Sequence, residues 1–153
     1  MWQLNLPGYN FRIKNINNKL SIFDDIRKKF VINTPEEWVR QHFIRFLVEE
    51  KKYPVNFIAI EKQIEVNGLR KRCDAIIYNP QFKPMIIIEL KAPQIQLTQA
   101  TFDQAAVYNS KLQVEYLFLS NGLEHFACKV DGVNSRYQFF EGIPEYPSLI
   151  TGI

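Results

Sequence analysis

A chain of 153 residues holds enough material for one folding unit and too little for two ordinary domains. Its 46% apolar and 23% charged residues exclude disorder and fibrous repeats, while a net charge of +3 permits a polyanionic partner without demanding one. The longest purely aliphatic run, Met85 to Ile88, is far short of a bilayer span, and the N-terminus lacks the order of a secretory signal, so a cytoplasmic protein without membrane contact is expected.

Residues 1–33 carry the apolar pieces Phe11–Ile13 and Leu20–Phe23 on either side of the polar Lys14–Lys19, which predicts an arm or hairpin packed on a core over 34–125. Thr34-Pro35-Glu36-Glu37 then sets an N-cap residue, a proline at the first helical position and a glutamate at the third, the order of a capping box. Apolar residues at helical spacing carry that helix to about Lys51, and Pro54 stops it. From Asn56 to Tyr78 the period becomes two around Asn67-Gly68, a hairpin signal because both central residues of a type I′ turn need positive φ. Pro84–Lys91 reads as a third, mostly buried strand. Thr98 caps a second helix to about Leu112, with Leu97 and Phe102 as its hydrophobic staple. Tyr116–Leu119 is a buried strand, and edge strands near His125–Val130 and Tyr137–Phe140 fall in a closing segment, 126–153. The order predicts an α/β domain.

The hairpin turn dictates its own register: Glu65 meets Arg70, Gln63 meets Arg72 and Glu61 meets Asp74. The last pair sets like charges together, a conflict relieved only if one is protonated, turned away or held by a cation. Glu89 follows three isoleucines, and Lys91, two residues on, leaves the same face of the strand. A bland reading pairs Glu89 with Lys91 as a salt bridge at a strand end. The alternative adds Asp74 from the neighbouring strand and lines one cleft with two acids and a lysine.

Asp74 followed by Glu89-Leu90-Lys91 resembles the D…(D/E)-x-K signature of the PD-(D/E)xK nuclease superfamily, with Cys73 where the family name has proline. Gln104-Ala105-Ala106-Val107-Tyr108 is similar to the Q-x-x-x-Y motif of its RecB-like branch, and Gln104 and Tyr108 share one helical face. Phe23–Gln41 and Arg70–Asp74 resemble the nuclease domain of type I restriction R subunits, although no glycine precedes a lysine, so no motor P-loop is present.

The resemblance implies a restriction-endonuclease-like fold: a mixed central sheet, built from an antiparallel meander and a crossover helix to a parallel strand, flanked by helices. It implies DNA phosphodiester hydrolysis with Mg²⁺ or Mn²⁺ held by Asp74, Glu89 and the Leu90 carbonyl, and Lys91 orienting water. Family members often add a carboxylate from the first helix; Glu37 stands there, although its capping role competes, and Glu61 is a rival from the hairpin. Arg72 is the basic residue best placed for phosphate, and Gln104 and Tyr108 are candidates for substrate contact. Partners expected are DNA and other restriction-modification or repair subunits; a noncatalytic nucleic-acid-binding or assembly subunit with the same fold is the alternative. Cys73 and Cys128 read as reduced structural thiols, and His42 and His125 lack the partners of a triad or metal site.

Overall fold

The computed structural model describes residues 2–131 and 136–151, leaving aside the side chains of Val66, Tyr108 and Ser110. Its first element is a three-stranded antiparallel sheet of β1 (Ile13–Ile16), β2 (Lys19–Asp24) and β3 (Lys29–Ile32). This extends the predicted hairpin by one strand. Asn17 and Asn18, at φ 52 and 63, make the first turn, and Asp24 Oδ1 makes the second by accepting from the N–H groups of Ile26 and Arg27 at 2.8 and 2.9 Å.

Helix α1 (Pro35–Glu49) begins where the cap predicts, with Thr34 Oγ1 accepting from the Glu37 N–H at 3.1 Å. A six-stranded sheet follows, in the order β4 (Ile58–Val66), β5 (Leu69–Tyr78), β6 (Pro84–Leu90), β7 (Tyr116–Ser120), β8 (His125–Asp131) and β9 (Arg136–Phe139). Only β6 and β7 pair in parallel, and α2 (Gln99–Leu112) makes the crossover between them, so the domain is mixed α/β as expected. Thr98 caps α2 with the help of Thr101, whose hydroxyl accepts from the Thr98 N–H at 3.3 Å. A short helix, α3 (Tyr146–Ile150), was not anticipated; its Tyr146 and Leu149 join the core.

Two apolar clusters sandwich the large sheet. One gathers Val39, Phe43 and Leu47 of α1 with Ile86, Ile88 and Leu90; the other gathers Phe102 and Ala105 of α2 with Ile87 and Leu117. A strand buried on both faces explains the unbroken apolar run of β6. The β4–β5 register is the one the turn dictates, from Val66 with Leu69 to Gln63 with Arg72. At Glu61 and Asp74 the ladder skips a pair, between Lys62↔Cys73 and Ile60↔Ala75. Here the side-chain alternation reverses: Ile58 and Ala75 pack into the α1 cluster, but Ile64 and Cys73 pack into the α2 cluster. Glu61 causes the reversal, since its backbone takes φ 52, a left-handed conformation that a strand residue otherwise avoids. The like-charge conflict is relieved by a cation that both acids share, since Arg40 Nη2 lies 3.7 Å from Glu61 and 2.7 Å from Asp74.

Candidate active site

The β5–β6 register pairs Ala75 with Ile88, so one step further Asp74 stands opposite Glu89. The ladder ends there because Asp74 replaces the backbone partner: its Oδ2 accepts from the Leu90 N–H at 2.7 Å. Its other oxygen, Oδ1, accepts from Arg40 Nη2 at 2.7 Å. Asp74 is therefore held at both oxygens, once from β6 and once from α1.

Glu89 has a different environment. It is 5% exposed and its Oε1 has no hydrogen-bond partner. Burial, then the charge of Asp74 and a hydrogen bond to it, push its carboxyl up to about 9, with Lys91 acting in the opposite sense. Lys91 continues from β6, its N–H bound to the Ser120 carbonyl at 2.9 Å, and its Nζ donates to Gln104 Oε1 of α2 at 3.4 Å. The bland Glu89–Lys91 ion pair is absent among the described residues; the ammonium is directed to Gln104 instead. Tyr108 is on the same helix, its side chain outside the described residues.

The helix-one carboxylate beside Asp74 is Glu36, not Glu37. Burial and the nearby Asp74 raise the Glu36 carboxyl above its usual range. Glu37 is buried in a cation network, with Oε1 accepting from Arg40 Nη1 at 2.7 Å and Arg27 Nη2 at 2.9 Å, and Oε2 from Gln41 Nε2 at 2.9 Å. Glu61 joins the same network, at 3.2 Å from Arg27, 3.7 Å from Arg40 and 3.5 Å from the exposed Arg72. Arg40 and Arg27 are thus the cations that let acids crowd here, and sequence reasoning assigned neither a role. The available signal was Arg40 one turn beyond both Glu36 and Glu37, within i,i+4 reach on a face that also carries Val39 and Phe43.

Two opposed carboxylates and the carbonyl of Leu90 are hard oxygen donors, and the unpartnered Glu89 Oε1 is a buried acceptor of the kind a divalent cation satisfies. The donor set fits Mg²⁺ or Mn²⁺. Among the described residues no three Asp, Glu, His or Cys side chains form a ready cage. The cysteines are inert: burial raises the Cys73 thiol to about 12 and that of Cys128 to about 11. His42 and His125 serve structure, the first donating Nδ1–H to the Trp38 carbonyl at 2.8 Å, the second joining Ser120 Oγ at 2.7 Å and the Asn5 carbonyl at 2.9 Å.

Among solved structures, the chain is similar to a fragment of a provisionally assigned HsdR subunit of a type I restriction enzyme from Vibrio vulnificus YJ016, at 19% identity and a TM-score of 0.50. That match covers 67% of this chain and 22% of the other, so this chain spans about a fifth of the relative's length. The likeness shows a shared fold. The type IIG restriction endonuclease BpuSI matches at 20% identity and a TM-score of 0.40, covering 72% of this chain and 13% of that one. A DUF820 protein from Anabaena variabilis ATCC 29413, provisionally assigned as a nuclease, matches at 11% identity and a TM-score of 0.48, covering 97% and 88%. No curated protein matches. The family model for the type I restriction enzyme R protein N terminus matches residues 35–144, the stretch that runs from the start of α1 through the Asp74, Glu89 and Lys91 strands to the end of the sheet. With well over half of its residues matched, this chain belongs to the family of type I restriction enzyme R protein N-terminal domains.

Proposed function

We propose that the domain hydrolyses DNA phosphodiester bonds with the help of Mg²⁺ or Mn²⁺. The observation that carries this reading is Glu89: a buried carboxyl with an unpartnered oxygen, set opposite Asp74 and two residues from Lys91 in the chain. Leaving one buried carboxyl oxygen without a partner costs roughly 1–3 kcal/mol, and carboxyls shifted in this way by burial and a neighbouring acid gather at functional sites. Asp74, Glu89 and the Leu90 carbonyl would hold the ion. When bound, it supplies electrophilic charge beside the scissile phosphate and makes water more acidic.

The chain's own residues supply the rest. Arg40 and the Leu90 N–H keep Asp74 from rotating, so its remaining lone pairs face Glu89. Lys91, steadied by Gln104, donates to the attacking water or to a phosphate oxygen. Arg72 stands at the hairpin's edge, exposed, where its charge attracts the backbone of the substrate. Gln104 and Tyr108 sit on the helix beside Lys91 as candidates for substrate contact. As a member of its family, the domain would work with restriction-modification or repair subunits.

The test is cleavage of supercoiled, linear and single-stranded DNA with Mg²⁺ or Mn²⁺, with Asp74→Asn and Lys91→Ala alongside. Asparagine keeps the shape that Arg40 grips. Metal-dependent product from wild type, lost in both variants, is expected; equal cutting by the variants would overturn the assignment. The Arg40–Asp74 bridge favours a second reading, a noncatalytic assembly subunit, because it places a fixed cation on a carboxylate that an ion would need. Absence of any metal-induced rise in melting temperature would select that reading.

A further inference from the structure

We propose that the outer face of the β1–β2–β3 sheet is a second contact surface for DNA, one that grips the phosphates of a duplex without reading its bases. The strand registers define that face row by row. Arg12, whose carbonyl binds the Phe23 N–H at 2.9 Å, leads a row continued by Phe23 and Phe30; Lys14, Ser21 and Ile32 form the next; Lys19 stands opposite Ile16 in the third. Rows of a strand repeat at about 7 Å, so three cations recur along one side of the sheet. No carboxylate belongs to these rows, and among the described residues none of the three cations enters an ion pair.

The opposite face is turned inward at its Ile22–Asp24 end, while Ile13 and Leu20 on it stay exposed. Ile22 is fully buried there, and Asp24 is 3% exposed and holds Arg27, which reaches Glu37 and Glu61 beside the candidate site. The sheet is therefore tied to that site through ion pairs on its opposite face, and a nucleic acid lying on the basic face would be held at a fixed position relative to Asp74.

The aromatic rings select the mode of contact. The Arg12 guanidinium stands 4.6 Å from the Phe23 ring centre and 5.4 Å from that of Phe30, and Lys14 Nζ is 5.7 Å from Phe30. Cations rather than open ring faces meet the solvent, which suits phosphates and leaves no platform for an unstacked base. Ring contact also preorganises the guanidinium, lowering the entropy lost on binding. This sheet lies outside the family match at residues 35–144. The choice of DNA over other polyanions rests on the hydrolase reading; the charged face itself does not.

The experiment is fluorescence anisotropy of a short labelled random-sequence duplex in EDTA, where no cleavage occurs, comparing wild type with Arg12→Ala/Lys14→Ala/Lys19→Ala. Each phosphate contact contributes about 0.9 to the slope of log K against log salt, so the triple variant should lower the slope by about two to three and weaken binding by roughly tenfold or more. Unchanged affinity and slope would overturn the proposal. A larger loss for single-stranded than for duplex DNA would overturn the phosphate mode. Lys14→Glu alone provides the same readout should the triple variant fold poorly. Metal-dependent cutting with unaltered binding defeats only this surface; salt-sensitive binding lost in the variant, without cutting by wild type, defeats only the hydrolase reading.

Discussion

Arg40 reaches Asp74 Oδ1 with Nη2 and Glu37 Oε1 with Nη1, each at 2.7 Å, so one guanidinium ties α1 to the strand that carries the first acid of the candidate site. Arg40 is 5% exposed. Replacing it with methionine leaves Asp74 without its cation and Glu37 with Arg27 alone, a loss of about 3–5 kcal/mol in urea unfolding. Arg40→Lys should cost less but not nothing, because an ammonium lacks the fork that spans two carboxylates.

Glu89→Gln should stabilise the metal-free protein at pH 8. The folded-state carboxyl is raised to about 9 from an ordinary 4.5, so folding favours its protonated form. That contribution is fully present below about pH 4.5 and is lost as pH rises toward 9. The advantage of the Glu89→Gln variant over wild type should therefore grow across that window and vanish at its acid end, as urea unfolding at a series of pH values would show. Mn²⁺ should raise the melting temperature of wild type, and Glu89→Gln should abolish that rise.

The two histidines make the opposite prediction on the acid side. Burial lowers the proton affinity of both His42 and His125, and each is held by a backbone carbonyl. The unfolded chain binds protons more readily, so stability should be intact above about pH 6.5 and fall as pH drops through their lowered folded values. Thermal melts of His42→Gln should show a shallower fall over that range.

Two glycines separate backbone strain from space. Gly68 has φ +77 and nothing within 4 Å of a built Cβ, so Gly68→Ala should cost about 1 kcal/mol. Gly122 has φ +84, and a Cβ there would meet Leu4 Cδ2 at 2.7 Å and Val39 Cγ2 at 3.1 Å. Gly122→Ala should cost clearly more in urea denaturation and loosen the segment that Asn5 pins to the Gly122 carbonyl at 2.8 Å.

What the amino-acid sequence disclosed follows from where the governing forces are local. Asn67-Gly68 set the hairpin register, and Thr34 and Thr98 marked both long helices, because turns and caps act within a few residues. The like-charge collision of Glu61 with Asp74 was legible too. Its resolution was not, since the cations come from Arg27 and Arg40, far off in the chain. That Glu36 comes beside Asp74, while Glu37 meets it only through Arg40, shows the same limit. Neighbouring positions on a helix differ by a large rotation, and only the docking of α1 decides which of two adjacent glutamates meets β5. The strand β3 and helix α3, four and five residues long, are too short for a period to declare itself.

The left-handed backbone at Glu61 also limits how the hairpin can be altered. Beyond that kink the blade ending in Asn67-Gly68 presents its two sides in exchanged order, so residues inserted between Glu61 and Ile64, matched by residues between Cys73 and Asp74, should be tolerated in steps of two per strand and rejected in odd ones. An odd insertion there would swing Ile64 and Cys73 away from α2 and unseat that helix, leaving the acids below in place but without the wall behind them.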